Sequence, residues 1–489
     1  MLLARLIYLF GWFLLALALG HLPPLMVALL AREAATVQAF LVSGALAIFV
    51  GGGLIVSLHG MAGQIDRRIS FLGPLFGLVC LPLFAAIPFV ASGVLPSLLD
   101  GYFEAISGLT TTGASLIPDP GAIPASLVFW RAFLQWLGGF GVIIMASAIL
   151  AYLNVGGMQF FSSALPHGEG EGVMGRLLGA TKALLGIYAV LTVVAILVVW
   201  AAGAPVFDAV CLALSGISTG GFMPRAGTVG ENYGAAVEVA LAFVMILGAL
   251  NFAYYWQMSR GRMRRYLRDP EYRFFFSMLL SFWLLVFIVQ IVAGAPAEEA
   301  GAGWGGTLRM AFVASASAIT TSGFLPDGYA SLNLFSSIAL LGLAYIGGAA
   351  GSTAGGLKIF RMIFLIRHSH RELKRLAHPH GMFPLRYRNR PIRQADLAAV
   401  WTLLFVSLGS ICVASLVFSA FNVPFRGSIA LAIASLSNAG PTAFLMDPSF
   451  PGFHTLLGIN KLFAIGLMIL GRLEMTLVLA LFWRAFWRI

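Results

Sequence analysis

The sequence predicts an all-α integral membrane protein with about ten spanning helices, two N-terminal ones followed by four copies of a helix–re-entrant loop–helix unit. Three observations predict it. The 489 residues are 60% hydrophobic and only 10% charged, with a mean hydropathy of +0.92. Apolar stretches recur that match the roughly 20 residues needed to cross a bilayer core of about 30 Å. Between the later stretches lie four partly apolar ones, too short to span, centred near residues 107, 214, 317 and 434.

In chain order, the apolar segments fall at 6–30, 37–58, 74–92, 125–151, 183–202, 235–258, 274–293, 334–357, 397–419 and 456–482. The first 20 residues imitate a signal peptide, with Arg5 ahead of an apolar run. Apolar character resumes through Leu30, broken only by His21, Pro23 and Pro24, so a retained first helix is expected. The chain divides into a helix pair, 1–66, and repeats at 67–153, 154–260, 261–370 and 371–489. Cys80, Cys211 and Cys412 sit singly in apolar segments and read as packing residues.

Charge sets the orientation. The loops 59–72, 152–182, 259–273 and 357–396 hold 20 Lys/Arg against 7 acids. The opposite loops, 93–124, 203–235, 294–333 and 420–455, hold 3 against 9. The positive-inside rule places the first set in the cytoplasm, and Arg484 and Arg488 put the C-terminus there too. The first helix then starts from the cytoplasmic side, and the four short segments dip in from outside. The net charge of +11 is a topology signal with affinity for anionic lipid, not a nucleic-acid footprint.

The short segments align on one glycine each. They read EAISGLTTTGA from Glu104, CLALSGISTGGF from Cys211, ASASAITTSGF from Ala314 and LAIASLSNAGPT from Leu431. The aligned glycines are Gly113, Gly220, Gly323 and Gly440. The repeats enter and leave on one side, so they are parallel and surround an axis along the membrane normal. Non-helical backbone at membrane depth must line water or lie buried in protein. Rings of backbone carbonyls can replace the water shell of a potassium ion, and glycine reaches the angles that aim them. Thr111, Thr112, Ser218, Thr219, Thr320, Thr321 and Ser322 can lend hydroxyls. The runs before them would be pore helices with negative dipole ends facing the cation. Four matches in register predict a pore around a pseudo-fourfold axis.

Asp100, Glu104, Asp119, Asp208, Glu231 and Asp327 on the outer face could concentrate cations at the mouth, though each except Glu104 reads singly as an ordinary solvated loop charge. Glu104 opens a pore helix and is expected to cap it. Lys461 and Arg131 read as interfacial anchors.

These residues resemble the TrkH family, the membrane subunits of bacterial Trk potassium systems within the Trk/Ktr/HKT superfamily. The resemblance rests on FEAISGLTTTGA from Phe103, RAFLQWLGGFG from Arg131 and ISTGGF from Ile217. It rests also on GGAAGSTAGGLKIFR from Gly347, RELKRLAHPH from Arg371, NAGP from Asn438 and GRLE from Gly471. It implies K+ as the transported ion, one filter glycine per repeat, and a multi-pass protein of the inner membrane. Serine replaces the first glycine in relatives that admit sodium, so Gly113 implies potassium selectivity. Ser322 in place of the first repeat's Thr112, and Asn438-Ala439 before Gly440, weaken a strict ring of hydroxyls but not one of carbonyls.

Gly347, Gly348, Gly351, Gly355 and Gly356, with Ser352 and Thr353, interrupt the second helix of repeat three. Each interior glycine costs about 1 kcal/mol relative to alanine, so the helix should break. The family implies an intramembrane gating loop here, and 346–356 is expected to plug the pore from below. Arg472 lies near the middle of the last helix, where the family places an arginine facing that loop; Glu474 is a candidate partner. GSTAGGLK from Gly351 imitates a phosphate-binding loop, but Leu357 separates Gly356 from Lys358 and no strand precedes it.

The cytoplasmic segment 361–393 is densely basic, and residues 367–376 can continue the gate helix. The resemblance implies a separate TrkA-like subunit binding adenine nucleotides or NAD, and a homodimer. A proton- or solute-coupled carrier is the competing reading, but no acid–histidine relay lies inside the spans. An intramembrane enzyme is excluded by the lack of any Ser/His, paired-Asp or His-Glu-x-x-His arrangement within them.

Overall fold

The structure, a computed structural model, describes residues 2–61, 67–146, 173–258, 261, 268–293, 303–387, 390–448 and 450–473. Among these the fold is helical, and strand is confined to a two-residue ladder pairing Arg386–Tyr387 with Arg390–Pro391. Seven helices are long and apolar enough to cross a membrane, and a bent pair makes an eighth span. The remaining two expected spans are shorter among the described residues. Leu334–Ile346 stops at the glycine cluster, and Gly458–Arg472 ends near the last described residue. The chain is a multi-pass membrane protein.

The first span is interrupted at His21, between Leu2–Gly20 and Leu22–Leu30, where two prolines occupy the first turn of the second piece. His21 is buried, with Nδ1 2.7 Å from Leu17 O and Nε2 2.9 Å from Ser43 Oγ. Ser43 belongs to Ala34–Ser57, so this contact joins the N-terminal helices to each other. Glu33 then docks the pair onto repeat one. Its carboxylate accepts from the backbone of Ala125 at 2.7 Å and of Ser126 at 3.3 Å. These N–H groups open a helix and have no partner within it, so an acid there complements both the bonds and the dipole.

Each repeat then follows one plan. The outer helices are Arg67–Ala85 with its extension Ile87–Ala91, Val173–Ala201, Pro270–Val292 and Gln394–Ala420. The short pore helices are Leu98–Leu109, Val206–Ile217, Gly303–Ile319 and Phe425–Leu436. The inner helices are Ala125–Ile144, the pair Ala235–Ala249 and Phe252–Met258 bent by 91°, Leu334–Ile346, and Gly458–Arg472.

Burial follows from this order. The outer helices expose large apolar side chains such as Leu284, Ile288 and Val292 to lipid, whereas the pore helices are buried along most of their length. Short, partly polar elements are tolerated at membrane depth only when spanning helices enclose them. The three cysteines stay free; Cys211 is buried, Cys80 half-buried and Cys412 exposed.

Candidate functional site

The four pore helices end alike. Each closes on Leu109, Ile217, Ile319 or Leu436, with Thr110, Ser218, Thr320 or Ser437 following it. The next residue is left-handed every time: Thr111 at φ +53°, Thr219 at +55°, Thr321 at +55° and Asn438 at +53°. The one after donates its N–H five residues back, Thr112 to Ser107, Gly220 to Ser215, Ser322 to Ser317 and Ala439 to Ala434. The fourth position is Gly113 at φ +77°, Gly221 at +81° and Gly323 at +78°, and Gly440 in the last repeat.

This corrects the sequence alignment in repeat two. Gly221, not Gly220, is the counterpart of Gly113, Gly323 and Gly440, and Gly220 stands level with Thr112, Ser322 and Ala439. The signal is present in the sequence, because Gly221-Phe222 matches Gly323-Phe324. A cavity of about 310 Å³ has Gly113, Gly221, Gly323 and Pro441 in its wall.

Left-handed backbone at a β-branched residue is a true outlier, and each such residue costs of order 1–3 kcal/mol unless its surroundings impose it. Three threonines share it here, each at the turn out of a buried helix. The loops also close into a ring. A methyl group on Gly113 would strike the carbonyl of Gly220, and one on Gly221 the carbonyl of Ser322. One on Gly323 would meet Pro441, and one on Gly440 would meet Ala114. Gly440 donates to Thr112 O at 2.6 Å and Asn438 Nδ2 to Thr112 Oγ1 at 3.0 Å, which joins repeat four to repeat one.

The hydroxyls serve the scaffold. Thr110, Ser218 and Thr320 each donate one helical turn back, at 2.7 Å. Thr112 pairs with Thr110 and Ser322 with Thr320. Thr219 donates to Ser218 O, and Thr321 accepts from Gly355 N. Thr111 Oγ1 is buried without a partner.

Several charges differ from their expected roles. Glu104 lies within its pore helix, which Ser97 caps. It is fully buried and paired with Arg131 Nε at 2.7 Å, and it accepts from Ser115 Oγ and Leu116 N at 2.9 Å each. Arg131 is therefore no interfacial anchor; its other nitrogens reach Ser115 Oγ at 2.8 Å and Met223 O at 3.3 Å, and it stacks on Phe222. Lys461 is likewise paired, 2.6 Å from Asp100. Asp208 pairs with Arg225, and Arg309 bridges Glu238 and Asp327. Glu231 caps its own short helix with Thr228. Asp119 remains at an exposed turn, accepting from Gly121 N. Gln135 lies in the RAFLQWLGGFG motif without a role of its own in the sequence reading; it donates to Gly220 O at 2.7 Å and accepts from Phe222 N at 3.3 Å.

Below the pore helices, the glycine cluster forms a closed excursion. Leu357 N returns to Tyr345 O and Lys358 N to Ile346 O, both at 2.9 Å, and Ile359 then begins a helix through Ala377. The excursion touches the ends of three pore helices. Thr353 Oγ1 lies 3.1 Å from Ile217 O and 2.9 Å from Gly248 O. Gly355 N donates to Thr321 Oγ1 at 2.6 Å, and a methyl group on Gly355 would strike Ser437 O. Ala349 N binds Ala249 O at 3.0 Å, Gly351 O accepts from Phe252 N at 3.1 Å, and Ser352 Oγ binds Ala349 O at 2.6 Å. Ala350 N donates to Glu271 at 2.7 Å, an anchor 79 positions away. Gly356, Lys358 and Arg472 line one cavity of about 70 Å³, together with Ser437. Arg472 is buried, and among the described residues none of its three side-chain nitrogens has a hydrogen-bond partner. Glu474, Arg484 and Arg488 lie outside the described residues.

The sequence model of the family described as TrkH, cation transport protein, matches residues 38–487. The chain belongs to the TrkH family. A Trk system potassium uptake protein TrkH of Salmonella typhimurium is 34% identical over 469 residues, covering 95% of each chain. Its counterpart in Escherichia coli K12 is 33% identical over 473 residues, again 95% of each. The crystal structure of the potassium transporter TrkH from Vibrio parahaemolyticus matches with a TM-score of 0.90 at 29% identity, covering all of both chains. Membership in the TrkH family makes this chain a transport protein rather than an enzyme.

Proposed function

We propose that this chain is the potassium-selective, ion-conducting subunit of a Trk uptake system in a bacterial inner membrane, with both termini in the cytoplasm. The observation that supports it most is the ring of four left-handed turns, each leaving the C-terminal end of a buried pore helix. Such ends carry about half a negative charge each, which suits a cation. Purified protein in liposomes is expected to pass potassium in preference to sodium, and Gly113→Ser is expected to narrow that preference by at least about tenfold, or 1.4 kcal/mol. Equal potassium and sodium flux in the wild type overturns the reading.

The excursion from Gly347 to Gly356 is the gate in this reading. It lies under three of the four pore helices and is held by single hydrogen bonds, each worth about 0.5–1.5 kcal/mol. Thr353→Val removes the hydroxyl that meets Ile217 and Gly248. It is expected to raise basal potassium flux several-fold at unchanged expression, measured with a potassium-sensitive dye in liposomes; unchanged flux sinks the assignment. Arg472 would hold cations off while the excursion is in place. The helix Ile359–Ala377 leaves the excursion directly and carries Arg367, Arg371, Lys374 and Arg375, which suits coupling to a TrkA-like cytosolic subunit that binds adenine nucleotides or NAD. A homodimer completes the proposed assembly.

A further inference from the structure

We propose that an anionic phospholipid of the surrounding membrane binds beneath the pore loops, with its headgroup phosphate on Arg472 and one acyl chain in the adjoining apolar cavity. Two cavities meet at Val142, Met145, Arg472 and Leu473. The larger, about 420 Å³, falls in the size range of about 300–1,000 Å³ typical of ligand sites. Among the described residues its wall is apolar apart from Arg472 and is built mostly from the first helix, the outer helix of repeat one and the inner helix Ala125–Ile144. Phe13, Leu78, Leu81 and Phe140 in that wall are half-buried and Gly141 is exposed, so the cavity opens toward lipid. The smaller, about 70 Å³, adds Lys358 and Arg361 to Arg472.

Lys358 donates to Ala354 O and Arg361 to Leu357 O. Arg472 is 5% exposed, and its guanidinium has no hydrogen-bond partner among the described residues. A buried cation at membrane depth needs an anion or water, and guanidinium matches phosphate with paired hydrogen bonds. An inorganic anion alone would satisfy the charge but leave the contiguous apolar cavity without a role. Binding here goes beyond the gating reading and meets it at one residue: phosphate on Arg472 would neutralise the charge that holds cations off, so a lipid-bound chain lacks that barrier.

The test uses the full chain in phosphatidylcholine vesicles doped with phosphatidylglycerol, followed by re-extraction and native mass spectrometry of the retained lipid. The wild type is expected to retain phosphatidylglycerol over phosphatidylcholine. Arg472→Gln is expected to lower retention about tenfold, the factor of one charge-assisted hydrogen bond. Gly141→Leu places a side chain in the apolar cavity, where an added Cβ meets nothing within 4 Å. It is expected to lower retention as much with an unchanged melting temperature. Retention unchanged in either variant overturns the proposal, and so does full displacement of the lipid by inorganic phosphate, which would mark a site for a free anion.

Discussion

Alanine at Gly221 is expected to abolish cation flux, whereas alanine at Gly220 is expected to leave much of it. The two glycines are neighbours, yet they face different obstacles. Gly221 sits at φ +81°, where an L-residue costs roughly 1–2 kcal/mol, and its new methyl group would strike the backbone carbonyl of Ser322. That carbonyl belongs to the next pore loop, which is itself pinned by Ser322 N to Ser317 O at 3.0 Å. Neither side can yield without opening the ring between repeats two and three. Gly220 has ordinary backbone, and its methyl group would meet the side-chain end of Gln135, which can turn aside at the cost of its bonds to Gly220 O and Phe222 N. Potassium flux into liposomes, normalised to folded protein, separates the two. Equal losses would return Gly220 to the place the sequence alignment assigns it.

Removing one member of the Glu104–Arg131 pair should have the largest effect on stability. Both side chains are buried, at 0% and 2% exposure, behind the first pore loop. Breaking a buried pair strands the surviving charge and costs about 3–5 kcal/mol, a large part of the roughly 5–15 kcal/mol that holds a typical domain together. Arg131→Met is therefore expected to lower the melting temperature in detergent markedly and to remove flux. Glu104→Leu should do the same, while the double variant Glu104→Leu, Arg131→Met should recover much of the stability without recovering full flux. Recovery of flux in the double variant would mean that the pair only fills space, and that its grip on Ser115, Leu116 and Met223 does not shape the loop.

The helices and their repetition are legible in the sequence, because about 20 apolar residues per span is a demand of the bilayer and survives any detail of packing. The break after Ile346 is legible for the same kind of reason, since a cluster of helix-weakening glycines follows it at once. The register of repeat two is not. Two adjacent glycines, Gly220 and Gly221, satisfy the same short pattern. What separates them is the left-handed turn just before, which falls on Thr111, Thr219, Thr321 and Asn438. The three threonines are β-branched and by sterics among the least expected residues there. No local propensity marks them, so the packing around the pore helices has to impose the turn.

The buried charges escape the sequence for a different reason. Glu104 and Arg131 are 27 positions apart, and Asp100 and Lys461 are 361 apart. Taken one at a time, each reads as a cap, an anchor or a loop charge. Only the fold brings each acid to its base. Glu271 likewise falls in a cytoplasmic loop by charge pattern, and the structure places it against Ala350 in the excursion.

The contact that closes the ring has a consequence for how the protein is made. Asn438 and Thr112 are 326 positions apart. At roughly 5–20 residues per second, the ribosome needs on the order of 16–65 s to synthesise the chain between them. During that interval the neighbour of the first pore loop on one side does not yet exist. Thr112 O, which finally accepts from Gly440 N, must be satisfied by water or by an insertion factor until the fourth repeat arrives. Biogenesis of this protein is therefore a waiting problem: an early loop has to be kept hydrated and unaggregated until the last one completes it.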